Sequence, residues 1–524
     1  MTEVRKNRIF SLAVFVVTVL WFSIFAVARL DMHHDAVMLK PAIDVAAGKV
    51  IFRDTFCQYG ALAVWIQALA VKLFGGELIV IQLLTVLFYG GIGVLSDVVF
   101  RRFLSWPFRI VNLVLFWFMA PFYIVPFHPW SSVYALFFML LSTEFLLRFI
   151  EKERPWSAAL AGAFAACAFL ARHPCGVVMM AMDLLVLGFC WYSFKSRWRG
   201  VAYCAGGAAA VLGVFSLYLT VTGAWYDYLR QCFGFVLGFA VERGGNLVWR
   251  EIAKRFFPLD GVLWIVDLLY PVMPFLCVAT ALKEFCGFSK CDEEERRGRL
   301  RYFAVAVLGV VSWHQYYPVS CLRHLYWAGI PMFGVFTLVC ERLWRQRDWH
   351  RAAAAALLLL GAVPVVFRIW YGAVPFLNDY GGRRSIDLPG VRHLRLSGTE
   401  IELVKGIYDT YRDLPPEIRA RGVFNYTPDA VLSVMLPETK FKHAMFVNWK
   451  DDVYVDYPAK AMAYILTNRP PVISQRPFFR PGCSMTATGI VLATDPEPFT
   501  LPEYDLVFCG DLYGLRYFFY SPLD

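Results

Sequence analysis

Residues 9–28 read IFSLAVFVVTVLWFSIFAVA, and residues 31–60, which follow almost at once, read DMHHDAVMLKPAIDVAAGKVIFRDTFCQYG. The first stretch carries no charge and is long enough to cross the hydrocarbon core of a bilayer. The second is rich in Asp, His, Lys and Arg, which are costly to hold against a membrane unless they do chemistry or bind something polar. The two stretches together predict a membrane protein whose first loop is functional.

The rest of the chain repeats the apolar pattern. Of its 524 residues 58% are hydrophobic, the mean hydropathy is +0.51, and a typical soluble domain is nearer half apolar. This composition predicts a polytopic α-helical membrane protein with about eleven transmembrane helices. The expected spans are 9–28, 77–99, 108–125, 131–149, 157–171, 175–194, 200–221, 260–282, 302–317, 325–341 and 352–371. The first is expected to be an uncleaved span rather than a signal peptide, because its apolar run is long.

Basic residues set the orientation. The net charge is +10, but Lys and Arg cluster in the short gaps between apolar runs, as the positive-inside rule predicts, so they do not indicate nucleic-acid binding. With these clusters inside, the N-terminus is cytoplasmic, and loop 29–76 and residues 372–524 lie outside. We expect a transmembrane domain over 1–371, which includes the external loop 29–76. We expect a small extracytoplasmic α/β domain over 372–524.

Short elements are predicted outside the spans. Pro41 suits the start of a surface helix and Gly48 the residue just past its end, and residues 61–74 predict a second helix at the membrane interface. In the C-terminal region we expect helices over 400–412 (capped by Thr399), 428–436 and 458–466. Strands are expected at 423–424, 472–474, 505–508 and 515–519. Cys483 and Cys509 are a candidate disulfide, and the sequon at Asn425 is interpreted as a chance match because Pro428 follows it.

The candidate catalytic residues lie in the first loop. Asp31 and Asp35 are four residues apart and share a face if the segment is helical. A carboxylate flanked by imidazoles can accept a proton from a hydroxyl, or hold a divalent cation with Asp35 and His34 as candidate ligands. The alternative is structural, with Asp35 capping the turn that follows. His33 is interpreted as a surface residue.

Three arginines are predicted near membrane ends on the external side, where the positive-inside rule does not expect them. Arg172, Arg243 and Arg323 suit the bidentate grip of a lipid phosphate, and ion pairing within the loops is the alternative. Tyr317 and His324 lie in an aromatic stretch, residues 316–331, that suits either sugar stacking or a membrane interface.

The pattern His34-Asp35, Pro41-Ala42, Gly48, Phe52-Arg53-Asp54 and Gln58-Tyr59-Gly60 after a first span resembles the GT-C integral-membrane glycosyltransferases. Within them it is similar to the bacterial branch related to protein O-mannosyltransferases and aminoarabinose transferases. The resemblance covers residues 9–371, and its first-loop motif is the more specific part. Related enzymes often carry Asp-Glu where this chain has His34-Asp35.

That resemblance implies a function. Such enzymes move a sugar from a polyprenyl-phosphate donor to a lipid, glycan or protein acceptor on the external side of the membrane. An acidic residue of the first loop acts as general base, a role that falls on Asp35 with Asp31 in reserve. Asp54 is expected to bind acceptor or to stabilise the fold.

Two other functions compete with this one. A transporter is suggested by the many spans, although the ionisable residues within them are few: Asp97, Glu144, Asp183 and Asp267. A non-catalytic envelope assembly protein is the other alternative, with residues 372–524 as its binding module.

Overall fold

The structure is a computed structural model. It describes residues 3–121, 127–193, 198–234, 269–288, 291–316, 322–346, 348–442, 457–477 and 501–523, except 502 and 513.

Helices, most of them apolar, make up most of the described part of the first 380 residues. They are α1 Glu3–Ala26, α2 Asp35–Ala46, α3 Ala61–Phe74, α4 Leu78–Phe100, α5 Trp106–Met119, α6 Ser131–Lys152, α7 Pro155–Ala171, α8 His173–Ser193, α9 Arg199–Thr222, α10 Trp225–Leu229, α11 Leu269–Gly287, α12 Glu293–Trp313, α13 Leu322–Trp344, α14 Trp349–Arg368 and α15 Val374–Tyr380. Among the residues that the structure describes, five stretches are long and apolar enough to cross a membrane, namely α1, α4, α6, α9 and Trp349–Tyr380. The prediction of a mostly helical integral membrane protein is therefore confirmed.

Ion pairs mark one end of these helices. Arg109 on α5 donates to Asp97 on α4 at 2.8 Å and to Asn7 near the start of α1 at 3.0 Å. Arg102 after α4 donates to Glu144 near the end of α6 at 2.6 and 2.8 Å. The first loop begins beyond the other end of α1, which has 24 residues and is therefore about 36 Å long. The charged ends and the first loop thus lie on opposite sides of the helical region.

The first loop folds differently from expectation at one point. The helix α2 begins at Asp35 rather than at Pro41, which lies inside it. It starts earlier because a carboxylate oxygen of Asp31 accepts from the backbone N–H groups of His33 and His34 at 3.0 and 2.9 Å, which nucleates the preceding turn. Gly48 follows the helix with φ +94°, as predicted, and the helix predicted over 61–74 is confirmed as α3.

The C-terminal region contains both helices and strands. Its helices are α16 Gly398–Asp413, α17 Pro416–Arg419, α18 Leu432–Met435 and α19 Tyr457–Asn468. A two-stranded ribbon pairs β1 Arg384–Ser385 with β2 Arg395–Leu396. A four-stranded sheet has the order β3-β4-β6-β5, from β3 Phe424–Tyr426, β4 Val472–Pro477, β5 Tyr504–Leu512 and β6 Leu515–Pro522. β3 and β4 are parallel, and the other pairs are antiparallel.

Two C-terminal predictions are wrong in detail. Ser397, not Thr399, caps α16, in a capping box with Glu400. The helix predicted over 428–436 covers only Leu432–Met435, because the side chain of Asn425 holds residues 427–429 in a turn. The Asn425 amide donates to the Asp429 carbonyl at 2.9 Å and to Ser433 at 3.0 Å. That buried amide agrees with a chance sequon.

The other C-terminal elements follow the predictions more closely. The helix predicted over 458–466 is Tyr457–Asn468, and the predicted strands are present and mostly longer. The predicted pairing of Cys483 with Cys509 lies outside the described residues, since Cys483 does.

The C-terminal region packs directly on the end of α1. The backbone N–H of Arg395 donates to the Val27 carbonyl at 2.7 Å, and that of Arg29 donates to the Arg395 carbonyl at 3.0 Å. The backbone N–H of Val431 donates to the Met32 carbonyl at 3.1 Å. These bonds fix the C-terminal region against the first loop, on the side away from the charged helix ends.

Candidate functional site

Four side chains of the first loop and the segment before α6 form an acidic and imidazole cluster. One carboxylate oxygen of Asp31 lies 3.0 Å from Nδ1 of His34 and 3.7 Å from Nε2 of His128. The other ring nitrogen of His128, Nδ1, lies 3.1 Å from a carboxylate oxygen of Asp35. His128 thus lies between the two carboxylates. We call Asp31, His34, Asp35 and His128 the acidic cluster.

The two carboxylates differ in access to solvent. The side chain of Asp35 is fully buried, and its second oxygen accepts from the backbone N–H of Asp31 at 2.9 Å. The side chain of Asp31 keeps 11% of its surface exposed, and its second oxygen faces the imidazoles. Both carboxylates therefore bond to backbone N–H groups of the turn that precedes α2, whereas the structural alternative expected Asp35 to cap the turn that follows, and of the two only Asp31 keeps part of its side chain exposed.

The C-terminal region contributes directly to this cluster. Nδ1 of His33 lies 2.6 Å from the Pro428 carbonyl oxygen, so this half-buried residue contacts the protein interior as well as solvent. The adjacent Asp429 is buried and accepts a hydrogen bond from the hydroxyl of Tyr517 on β6. Burial, and then the negative charge of Asp31, raises the pKa of Asp429 to about 7. A second carboxyl group is therefore close enough to Asp31 for the two charges to interact.

Trp130, Tyr59 and Trp327 form an aromatic wall that borders the acidic cluster. The ring of Trp130 lies 5.6 Å from His34, 5.1 Å from Tyr59 and 6.4 Å from Trp327, measured between centroids. Trp130 and Trp327 are nearly parallel, with 10° between their planes. Burial raises the pKa of Tyr59, so its hydroxyl stays a neutral donor. Trp130 and Trp327 are buried, so the partly exposed ring of Tyr59 offers the apolar face that suits the ring of a sugar.

A cationic group lies near Tyr59 of this wall. Arg172 directly follows α7 and donates to the hydroxyl of Ser132 at the start of α6. Its positive charge acts on Tyr59 and on His314, which follows α12. The backbone allows this arrangement because Gly60 lies against the end of α7. A Cβ at Gly60 would lie 2.0 Å from the Leu170 carbonyl oxygen.

The predicted site residues fall into three groups. Asp31, His34 and Asp35 lie together in the acidic cluster, and Arg172 lies near Tyr59, whose ring is 5.1 Å from that of Trp130. Asp54 is instead bound by the adjacent Arg53 at 2.9 Å and by the Val50 backbone N–H at 2.9 Å. The Arg53 hydrogen bond lowers the pKa of Asp54, and these contacts support its fold-stabilising role.

The remaining predicted residues lie at or beyond the edges of the described segments. His324 lies 5.6 Å from Trp327, between ring centroids, and so borders the aromatic wall. Arg243, Tyr317 and the side chain of Arg323 lie outside the part of the chain that the structure describes.

Sequence reasoning missed His128, Trp130 and Asp429. The first two occur in the polar segment His128-Pro-Trp130-Ser-Ser that interrupts two apolar runs on the predicted external side, and this signal was available. Asp429 carries no such signal, because only the packing of residues 428–431 on the first loop brings it to Asp31.

A metal site was a possibility for Asp35 and His34. Among the described residues, no group of three or more His, Cys, Asp or Glu side chains is placed to hold a metal ion. The side chains of the acidic cluster are hydrogen-bonded to one another.

Comparison with known proteins gives structural neighbours only. No known protein family matches the sequence, and no curated protein resembles it significantly. The crystal structure of ArnT from Cupriavidus metallidurans bound to undecaprenyl phosphate aligns with 98% of this chain and 97% of its own, at TM-score 0.48 and 14% identity. The same protein in the apo state aligns with 99% and 98%, at TM-score 0.46 and 14% identity.

Proposed function

We propose that the chain is a glycosyltransferase that moves a sugar from a polyprenyl-phosphate donor to a glycan, lipid or protein acceptor outside the cytoplasm. One observation carries the proposal. A carboxylate poised between imidazoles and an arginine border the same aromatic wall, at the end of the helices opposite the charged helix ends. A sugar phosphate has the matching chemistry, with a reactive carbon next to an anionic leaving group.

Asp31 is the proposed general base. The Asp31 oxygen that faces the imidazoles takes the proton from the acceptor hydroxyl as the acceptor oxygen attacks the anomeric carbon. The bond from that carbon to the phosphate oxygen breaks in the same step. General-base help of this kind contributes about 10²–10⁴-fold. This assignment reverses the order expected from the sequence, because Asp35 is fully buried.

Asp35 is proposed as a positioning residue. It accepts from Nδ1 of His128, so that Nε2 of the same ring points toward Asp31. A carboxylate that fixes the orientation of an imidazole is a common catalytic device. The proton that Asp31 receives can pass to Nε2 of His128, which readies Asp31 for the next turnover. His34 holds the same Asp31 oxygen from the other side.

Arg172 is proposed to receive the charge of the leaving phosphate. Its guanidinium is half-buried, and a fixed cation acts more strongly where water is excluded. The roles of Arg243, Arg323 and Tyr317 at the donor, and of His324 beside the aromatic wall, remain part of this proposal on their sequence positions alone.

The proposal includes the topology. In this proposal the described helices α1, α4–α9 and α11–α14 are taken as the eleven spans, which alternate in direction with their ion-paired ends on one side. With those ends cytoplasmic, the acidic cluster and residues 372–524 lie outside. We assign the catalytic part to residues 1–371 and a small α/β domain to 372–524, in a bacterial inner membrane. Membrane lipids and the lipid-linked donor are its expected partners.

One observation favours a transporter as the second candidate. Asp183 on α8 is fully buried among apolar helices, and only its Oδ2 is bonded, by Ser142 at 2.8 Å. Buried carboxylates within membranes often serve ion pathways. Against this, Asp97 and Glu144 are paired with arginines at the charged helix ends, and the polar groups converge at the opposite end.

The test is transfer by the purified protein. We expect radiolabelled sugar to pass from a polyprenyl-phosphate donor to an envelope glycan extract, and Asp31→Asn to slow it by about 10²-fold or more. Asp413→Asn is the matched control, because its side chain is 74% exposed on α16. Transfer by Asp31→Asn at the wild-type rate would refute the base assignment. Solute uptake by proteoliposomes without any lipid-linked sugar would favour the transporter instead.

A further inference from the structure

A groove of about 400 Å³ lies in the C-terminal region. It is bordered by the end of α16, by α17 and by the segment 437–440. The side chains that give it chemical character are Tyr411, Arg419, Arg421, Glu438 and Lys440. None of these residues belongs to the acidic cluster or to the aromatic wall.

The groove is positively charged. Within the described part of the chain, neither Arg419 nor Lys440 forms an ion pair, and Arg421 donates to the Arg469 carbonyl at 3.0 Å, which leaves its charge uncompensated. The one acid, Glu438, is paired with Lys40 at 2.9 Å on its other side. The groove therefore presents three cations whose charges are not cancelled by neighbours. Arg419 also lies close enough to Tyr411 to act on its hydroxyl.

We propose that this groove binds an anionic glycan, namely the phosphate- or carboxylate-bearing part of the acceptor. The inference rests on the proposed transferase function and names the substrate class. Arginine suits bidentate contact with phosphate or carboxylate, and lysine adds a point charge. Tyr411 is half-buried and offers an aromatic face beside a hydroxyl, which suits a sugar ring.

The groove is connected to the acidic cluster by two routes. Glu438 at its edge holds Lys40, which is five residues along α2 from Asp35, about 7.5 Å of helix rise. From Gly422, also in the groove lining, β3 leads to Pro428, whose carbonyl contacts His33. An acceptor held in the groove is thus placed near the side of the first loop where Asp31 lies.

The test is direct binding to the full-length protein in detergent. The probe is a fluorescent oligogalacturonate, which carries carboxylates, compared with its neutral methyl ester. We expect the charged probe to bind, the ester to bind at least about tenfold more weakly, and the double variant Arg419→Gln/Lys440→Gln to lose about tenfold in affinity for the charged probe. The matched control is Lys405→Gln/Arg412→Gln, which removes two exposed charges of α16 outside the groove.

Three results would overturn the proposal. They are equal affinity of the groove variant and wild type, equal affinity for probe and ester, and an equal loss in the control variant. Vesicles of anionic phospholipid are the second probe. Vesicle binding that depends on Arg419 and Lys440, without glycan binding, would assign the groove to lipid head groups. The binding test needs no sugar donor, so the two proposals can fail separately. Glycan binding without transfer would refute the proposed function but not the role of the groove. Transfer without groove-dependent binding would refute only the role of the groove.

Discussion

The ion cluster around Lys40 joins the first loop to the C-terminal region, and Lys40→Met tests its role. Nζ of Lys40 lies 2.9 Å from Asp44 and 2.9 Å from Glu438, and Lys49 contacts Asp44 from the other side at 2.8 Å. Burial by itself lowers the pKa of Lys40, but the charges of Glu438 and Asp44 raise it above its usual value. Lys40 is therefore charged at neutral pH and pairs with two carboxylates, of which Asp44 is shared with Lys49.

The free-energy cost of Lys40→Met depends on the charges that the substitution leaves without a partner. Removing one partner of a buried ion cluster typically costs 3–5 kcal/mol, because the remaining charge is left buried without a partner. Here Lys49 still pairs with Asp44, and Glu438 can take up a proton, since burial already raises its pKa. We therefore expect the low end of that range, about 3 kcal/mol. Glu438→Gln should cost about 1 kcal/mol, because Lys40 keeps Asp44.

Hydrogen–deuterium exchange measures this loss of stability in individual segments of the chain. Segment 437–439 is tied to Val423, whose N–H donates to the Pro437 carbonyl at 2.7 Å and whose carbonyl accepts from Thr439 at 3.2 Å. If Lys40 stabilises this closed arrangement by about 3 kcal/mol, exchange of these amides should accelerate by about 100-fold in Lys40→Met. Peptides from α4 serve as the internal control and should not change.

Two outcomes would refute this reasoning. One is exchange of 423–439 within threefold of wild type in a folded Lys40→Met protein, about 0.7 kcal/mol or less. The other is an effect of Glu438→Gln as large as that of Lys40→Met, which would mean that Glu438 rather than Lys40 holds the cluster.

Three further predictions concern the site. The pKa of Asp429 is raised from 3.8 to about 7, so ionised Asp429 destabilises the fold. The wild type should therefore lose a few kcal/mol of stability as pH rises from about 4 to 7. In thermal unfolding, the stability of Asp429→Asn should fall less steeply with pH than that of the wild type, and parallel slopes would contradict this. His128→Gln should slow transfer and flatten its pH dependence while leaving donor binding within twofold, which donor titration checks, because His128 orients Asp31 without contacting the donor. Gly60→Ala should displace the end of α7 and lower the rate of transfer by tenfold or more. The control Gly213→Ala should match wild type, because a Cβ there meets nothing within 4 Å. Equal rates for the two variants would show that the close approach at Gly60 does not place Arg172.

The elements of this chain were predictable where local chemistry decides them. Gly48 and Gly75 end their helices as the sequence indicates, and uncharged runs of sufficient length become apolar helices. The start of α2 was misplaced because Pro41 was interpreted as a helix start, whereas a carboxylate four residues before the helix nucleates it. Likewise Thr427-Pro428 suggested a helix start, but the side chain of Asn425 uses the nearby backbone groups to hold a turn.

The site was predictable only in part. The sequence by itself determined that a polar first loop follows an apolar helix, and that Asp31, His34 and Asp35 lie together, because neighbours in sequence are neighbours in space. Only the tertiary structure decided that Asp35 is buried while Asp31 is not, and that His128, Arg172 and Asp429 meet the loop from three other parts of the chain. The physical reason is that burial and charge interactions depend on distances across the fold, which the packing of α6, α7 and the C-terminal region sets and which no local pattern encodes.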